Sequence, residues 1–194
     1  VVEVARFVVE VEQPYANCPQ YIQTREAMPA FRELPSPGEA EALDALDADA
    51  AALITAADTF FVATYADPDA ARRQVDVSHR GGRAGFVRVE GNVLTIPDFS
   101  GNRFFNTLGN ILATGRAGLL FIAFRRGDLL QVTGTASIDF DSDRIGTLQG
   151  AERLWSVRVE RAIRRRGALR RRLLFKEYSP NSLMTAQWGA GTQS

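Results

Sequence analysis

The chain has 194 residues, which is enough for one domain with a sizeable hydrophobic core. Its 23 basic and 23 acidic residues give a formal net charge of zero, so composition provides no overall attraction to nucleic acid or to an anionic membrane. Because Cys18 and His79 are the only cysteine and histidine, an intrachain disulfide and a zinc-finger-type or iron–sulfur site are excluded. We therefore expect no metal site, a reducing cytoplasmic compartment and, for any redox chemistry, an organic cofactor.

The first part of the chain predicts a strand, a connector and a helix. Residues 2–12 alternate loosely between apolar and polar side chains, which indicates a strand. Three prolines and a glycine between positions 29 and 38 mark a connector. Ser36-Pro37-Gly38-Glu39 is typical of a helix start, and the acidic, alanine-rich stretch after it predicts a helix to about Ala57.

From Thr59 onward, short apolar segments separated by turns predict antiparallel β-structure. Gly91-Asn92 predicts a tight hairpin turn, and Gly134 inside a strand predicts a bulge. Short strands with one small inserted helix favour a closed antiparallel barrel, so the fold class is mainly β with small flanking helices. The predicted strands are Thr59–Ala66, Val75–Ser78, Gly85–Val89, Val93–Ile96, Gly118–Phe124, Leu129–Ile138 and Leu154–Glu160, and the predicted helices are Phe104–Leu112 and Asp141–Gln149.

The turn Ser100-Gly101-Asn102-Arg103, between a strand and the predicted helix, has the composition of an anion site. Gly101 adopts positive φ freely and Asn102 tolerates it, so successive backbone N–H groups can form an anion-binding nest. The helix directs its N-terminus at the same place, while Ser100 adds a hydroxyl and Arg103 a permanent cation. These groups suit a phosphate monoester. The alternative is an ordinary turn in which Ser100 or Asn102 caps the helix.

A glycine-rich, cationic loop follows the strand at Val75–Ser78. Its two glycines, at positions 81 and 82, let backbone amides approach a flat ligand closely. Arg80 or Arg83 suits the electron-rich pyrimidine edge of a flavin, where negative charge collects on reduction. The alternative is a flexible surface loop with solvated arginines. His79 suits a general acid or a hydrogen-bonded residue at a strand end.

Five motifs carry a family resemblance between about Ile54 and Ile138. They are Asp58-Thr59-Phe60-Phe61-Val62-Ala63-Thr64, Ser78-His79-Arg80-Gly81-Gly82, Gly85-Phe86-Val87-Arg88-Val89, the run Ile96–Asn110, and Arg116-Ala117-Gly118-Leu119-Leu120-Phe121. With these motifs the chain resembles the pyridoxamine 5'-phosphate oxidase-like, FMN-binding split-barrel family. The segment 17–23, Asn-Cys-Pro-Gln-Tyr-Ile-Gln, is similar to one that follows a first barrel module in longer relatives. The resemblance therefore implies the C-terminal part of a larger protein.

The resemblance implies a Greek-key-like split barrel that forms a homodimer, with FMN bound at the subunit interface. It implies that the turn at residues 100–103, with Asn106 nearby, binds the cofactor phosphate. It implies that residues 78–81 line the isoalloxazine ring and that a glutamine comes from the partner subunit. The expected cofactor-binding residues are Ser78, His79, Arg80, Gly81, Ser100, Gly101, Asn102, Arg103, Asn106 and Gln131.

The first hypothesis for function is an FMN-dependent oxidoreductase. Oxidases of the family carry an Arg-x-x-Leu-Leu-Lys strand and a terminal Trp followed by Arg. Neither feature occurs here, near residues 75–83 or after Trp188, so we expect a substrate other than pyridoxamine phosphate. The alternatives are a deazaflavin-dependent reductase, a non-enzymatic flavin- or haem-binding carrier or sensor, and a cofactor-free barrel that acts through its Arg-rich tail.

The remaining features favour structural roles. The chain is expected to form one domain, with an N-terminal part (1–50), a split-barrel core (51–161) and an Arg-rich extension packed on that core (162–194). Seven arginines between positions 161 and 172 favour a solvated face or ion pairs with the acidic stretch 39–49 over nucleic-acid binding. Cys18 lacks a neighbouring base and is expected to be structural. Phe60, Phe61, Phe104 and Phe105 are expected to lie in the core.

Overall fold

A computed structural model describes Val8, Glu10 and residues 18–28, 36–69 and 72–188 of the chain. The strand predicted for residues 2–12 therefore lies almost wholly outside the described residues. None of the described helices is both long and apolar enough to cross a membrane. The helices are α1 (Ala48–Ala56), α2 (Asn106–Thr114) and α3 (Pro180–Leu183), with a 3₁₀ turn at Ile145–Thr147. The strands are β1 (Thr24–Ala27), β2 (Glu41–Leu43), β3 (Thr59–Asp69), β4 (Arg72–Gly81), β5 (Arg88–Glu90), β6 (Val93–Phe99), β7 (Arg116–Ala123), β8 (Asp128–Asp139), β9 (Ala151–Arg165) and β10 (Leu173–Glu177).

Eight of these strands form one antiparallel sheet with the order β4-β3-β7-β8-β9-β6-β5, and β2 pairs with β9 beside this path. A second, two-stranded sheet joins β1 to β10. The mainly β, antiparallel fold with small flanking helices is thereby confirmed. Among the described residues the pairing ends at β4 and β5, so backbone hydrogen bonds do not close the sheet into a complete barrel.

One face of the large sheet holds the core. Side chains alternate along β9, and Trp155 and Val157 are fully buried on its inner face. Phe60 of β3 lies at the centre, with its ring centroid 5.1 Å from that of Phe121 and 5.8 Å from that of Phe86. The strand predicted for Leu154–Glu160 is therefore confirmed as part of β9, and this core fixes the ends of β4 and β6 that carry the candidate site.

The prediction of one long helix that ends near Ala57 is wrong for its N-terminal half. Residues Glu41–Leu43 form β2, which pairs with Arg164–Ala162 of β9, so strand pairing overrides helical propensity here. The helix begins only at Ala48, where the side chain of Asp47 accepts a hydrogen bond from the Ala50 amide at 2.8 Å. Arg164, although buried, forms ion pairs with Glu41 and Asp47, each at 2.9 Å. The expected pairing of the Arg-rich segment with the acidic stretch is thus present.

Two further elements differ from their predictions. The strand predicted for Gly85–Val89 begins only at Arg88, because Gly85 has a φ of +92° and belongs to the preceding loop. The helix predicted for Phe104–Leu112 begins only at Asn106. Phe104, Phe105 and Leu112 are exposed, while Leu108 and Ile111 are buried. The expectation that both Phe104 and Phe105 lie in the core is therefore wrong.

Two glycine predictions are confirmed. Gly91 has a φ of +58° in the two-residue turn between β5 and β6. The register between β8 and β9 shifts at Thr133/Gly134, where a side chain on Gly134 would overlap the carbonyl oxygen of Arg158.

The C-terminal region packs back on the core through Gln23, which is buried. The Gln23 amide donates to Ser182 Oγ at 2.8 Å and to the carbonyl of Gly82 at 3.2 Å, while its oxygen accepts from the amide of Ser179 at 2.8 Å. This one side chain therefore connects the segment before β1, the loop after β4 and the start of α3.

Candidate functional site

A single cleft opens where the C-terminal ends of β4 and β6 meet the N-terminus of α2. The empty space within it, counted out to the open solvent, is about 890 Å³. Four pieces of chain form its walls: the segment 18–21, the end of β4 with the loop after it, the end of β6 with the loop to α2, and the start of β9.

The loop between β6 and α2 is held in an unusual backbone conformation. Arg103 and Phe105 both have positive φ, at +61° and +57°, although neither is glycine. The side chain of Asn102 stabilises the loop by accepting a hydrogen bond from the Phe104 amide at 3.2 Å. Phe105 is the N-cap of α2 and provides no side-chain hydrogen bond to the helix. The first-turn amides of α2 therefore face the cleft without a side-chain cap, an arrangement that attracts an anion.

Beneath this loop, β4 and α2 are joined by a buried polar chain. The hydroxyl of Thr107 donates to the buried carboxylate of Asp76 at 3.0 Å. The hydroxyls of Ser78 and Thr107 lie 3.0 Å apart. These bonds hold the end of β4 against the start of α2, so the two predicted motifs share a common wall.

The next residues of β4 present polar groups that lack partners. His79 Nε2 and Arg80 Nε are buried, and neither has a hydrogen-bond partner among the described residues. Burial lowers the pKa of His79, and the positive charge of Arg80 lowers it further. The interaction with the backbone of Tyr21 acts in the opposite direction and raises this pKa. His79 is therefore neutral at physiological pH. Buried polar atoms normally have partners, so these two atoms indicate a position for a polar ligand.

The floor of the cleft carries a third arginine. Asp98 of β6 lies opposite Arg153 of β9, and Arg153 Nη1 donates to the Asp98 carboxylate at 2.6 Å. The second Nη of Arg153 donates to Glu152 at 2.9 Å, and its guanidinium lies 5.1 Å from the ring centroid of Phe105. Burial raises the pKa of Asp98, while Arg80 and Arg153 oppose that shift. This side of the cleft thus pairs Arg153 with two carboxylates, those of Asp98 and Glu152.

The fourth wall, which contributes Cys18, Gln20 and Tyr21, comes from outside the sheet. Cys18 is half-buried, and its Sγ is 3.9 Å from where a Cβ on Gly101 would lie. Sequence reasoning treated Cys18 as structural and did not place Tyr21 or Arg153 in the site. The similarity of segment 17–23 to relatives was the only signal for this wall, and nothing in the strand pattern marked Arg153.

The structure brings together eight of the ten expected cofactor-binding residues, since Ser78, His79, Arg80, Gly81, Gly101, Asn102, Arg103 and Asn106 all line the cleft. Ser100 is exposed at the edge of this cleft, and its carbonyl accepts a hydrogen bond from the Tyr21 hydroxyl. Gln131 does not line the cleft of its own chain. It is exposed on β8, opposite Leu120 of β7 and Ile163 of β9.

Comparison with protein-family models and with curated proteins gives no match. Among solved structures, HupZ of Group A Streptococcus is 16% identical, with a TM-score of 0.49 over 69% of this chain and 98% of that chain. A putative pyridoxamine 5'-phosphate oxidase from Lactobacillus delbrueckii is 14% identical, with a TM-score of 0.47 over 62% of this chain and 94% of that chain. The FAD binding protein from Mycobacterium smegmatis is 10% identical, with a TM-score of 0.42 over 64% of this chain and 99% of that chain.

Proposed function

We propose that the chain binds FMN in this cleft and acts as an FMN-dependent oxidoreductase with a substrate other than pyridoxamine phosphate. The observation that carries the proposal is the meeting of two motifs that lie about twenty residues apart in the chain. The loop before α2 supplies a helix N-terminus without a side-chain cap, with Arg103 beside it. The end of β4 supplies buried polar atoms of His79 and Arg80 without hydrogen-bond partners. A ligand with a phosphate at one end and a flat polar ring at the other satisfies both.

The phosphate end of the site is formed by the loop before α2. The first-turn amides of the helix donate to an anion, and the helix dipole adds favourable potential there. Arg103 supplies a permanent positive charge, and Asn106, the first residue of α2, adds an amide side chain at the same wall. Gly101 and Asn102 complete the loop, and Ser100 is at its start.

The ring end of the site is formed by the end of β4. The guanidinium of Arg80 suits the pyrimidine edge of an isoalloxazine, where negative charge collects when the ring is reduced. Neutral His79 offers one more hydrogen-bonding atom at the same edge. Gly81 lies at the same wall, where the carbonyl of Tyr21 fills the space that a side chain would take, and Ser78 is fixed by Thr107. Bound flavin would supply the capacity to accept a hydride or an electron pair, while the chain orients it and excludes water.

We also propose a homodimer with the flavin at the subunit interface. The exposed face of β4 is apolar, because Val75 and Val77 are 63% and 55% exposed, and Ala63 of β3 lies opposite Val77 and is exposed as well. Apolar residues clustered on a sheet face are typical of subunit interfaces. Gln131 is exposed on the same sheet and does not line this cleft, so in the proposed dimer it would contact the flavin of the partner subunit.

The phosphate role is tested by FMN titration of the variant Arg103→Ala. Hydrogen bonds to charged groups contribute about 1.5–3 kcal/mol, so affinity for FMN should fall by roughly 10- to 100-fold. The matched control is Arg125→Ala, an exposed arginine in the turn between β7 and β8 that does not line the cleft. The control should bind FMN as the wild type does. Equal affinity in all three proteins would reject the phosphate role of Arg103.

Absorption spectra distinguish the alternatives that use the same cleft. A deazaflavin band after incubation with a deazaflavin but not with FMN would support the reductase alternative. A Soret band after incubation with haemin would support a haem carrier, for which the unpartnered His79 Nε2 is the candidate ligand. Reduction of bound FMN by a nicotinamide would separate the enzyme from a carrier.

A further inference from the structure

We propose that Tyr21 is a positioning residue that joins the two halves of the cofactor cleft and holds the phosphate loop in its binding conformation. This inference rests on the proposed flavin site. Tyr21 belongs neither to the sheet that carries the cleft nor to either predicted motif. Its backbone contacts the motif at the end of β4, and its side chain contacts the motif before α2.

The backbone contact is at Gly81. A side chain on Gly81 would overlap the carbonyl oxygen of Tyr21 and would lie 3.2 Å from its Cβ, so this close approach requires glycine. The Tyr21 carbonyl also accepts a hydrogen bond from Gln23 Nε2 at 3.1 Å. The ring end of the site therefore has Tyr21 as part of its wall.

The side-chain contact is at the start of the phosphate loop. The hydroxyl of Tyr21 donates to the carbonyl of Ser100 at 2.7 Å. Its ring packs beside Phe99, with the centroids 5.6 Å apart. Three residues further on, Arg103 has a positive φ, a conformation that a non-glycine residue keeps only where its surroundings enforce it. The bond to Ser100 anchors the loop where it leaves β6.

Tyr21 itself is held in a conformation with a φ of +67°, which is unfavourable for an aromatic residue. The Gln23 side chain fixes the segment, because its amide bonds to Tyr21, Gly82 and Ser182 at 3.1, 3.2 and 2.8 Å. A strained residue that is fixed on both sides marks a functional constraint. The constraint that fits here is the spacing between the ring end and the phosphate end of the ligand.

This role predicts that loss of the Tyr21 hydroxyl weakens binding of the ligand's phosphate group and leaves binding of its ring unchanged. Tyr21→Phe keeps the ring beside Phe99 and the backbone against Gly81, and removes only the hydroxyl that holds Ser100. One such hydrogen bond contributes on the order of fivefold in an equilibrium constant. FMN carries the phosphate and riboflavin does not. We therefore expect Tyr21→Phe to weaken FMN about fivefold and to leave the affinity for riboflavin unchanged.

The experiment is fluorescence titration of FMN and of riboflavin into the wild type, Tyr21→Phe and the control Tyr178→Phe, whose ring packs on Phe175 instead. All titrations are run at a temperature where circular dichroism shows each protein folded. A lower FMN-to-riboflavin selectivity in Tyr21→Phe alone supports the inference. Unchanged selectivity, or an equal loss for both ligands, overturns it while the flavin site stands. A wild type that binds neither ligand overturns the proposed function itself.

Discussion

Replacing Gly81 with alanine tests the packing on which the cleft depends. The new Cβ would overlap the carbonyl oxygen of Tyr21, which is backbone and is held by Gln23, so neither partner moves without breaking a bond. Overpacking of this kind costs about 1–3 kcal/mol. Loss of the Gln23 and Ser100 hydrogen bonds adds about 0.5–1.5 kcal/mol each. We expect the free energy of unfolding to fall by roughly 2–6 kcal/mol and FMN affinity to fall with it.

Urea denaturation measures the first effect and FMN titration the second. The matched control is Gly109→Ala, because Gly109 lies in α2 and a Cβ there would meet nothing within 4 Å. Alanine in a helix interior is favoured over glycine by about 1 kcal/mol, so the control should be as stable as the wild type or more so. A Gly81→Ala protein with the stability and FMN affinity of the wild type would refute the packing of Tyr21 against β4.

Three further outcomes are expected. Gly134→Ala should lower the free energy of unfolding by about 1–3 kcal/mol in urea denaturation, because its Cβ would overlap the carbonyl oxygen of Arg158; wild-type stability would contradict the bulge. Burial lowers the pKa of His79 below its ordinary 6.5, so the unfolded chain binds more protons near that pH. Stability should therefore decrease as pH falls from 6.5, and His79→Gln, which removes the only histidine, should abolish that slope in denaturation at several pH values. Val77→Glu should halve the mass measured by light scattering, and an unchanged dimer would place the interface elsewhere.

The sheet was largely predictable, because apolar and polar residues alternate along a strand that has one buried face. Trp155 and Val157 alternate with polar residues, and the pattern alone placed them inward. The helix at 39–57 was mispredicted because its first residues are alanine-rich and acidic, as in a solvated helix. What decides their conformation is Arg164, more than a hundred residues away, which draws Glu41 into the sheet and Asp47 to the helix start.

The candidate site was predictable only in part. Residues within the Ser100–Arg103 and Ser78–Gly81 motifs carry local signals, namely glycines, an arginine and a following helix. Arg153 carries none, and only the register of β6 against β9 places it opposite Asp98. Phe105 was expected in the core together with Phe104. In the structure it ends the strained loop instead and caps α2 with its backbone.

The central claim is that this cleft holds a flavin, and the visible spectrum of the chain titrated with FMN tests it most directly. The expected result is a saturable shift of the oxidised-flavin band with one FMN per chain, which needs roughly 10- to 100-fold more FMN in Arg103→Ala and is unchanged in Arg125→Ala. A protein whose spectrum remains that of free FMN plus colourless protein at every ratio would contradict the claim.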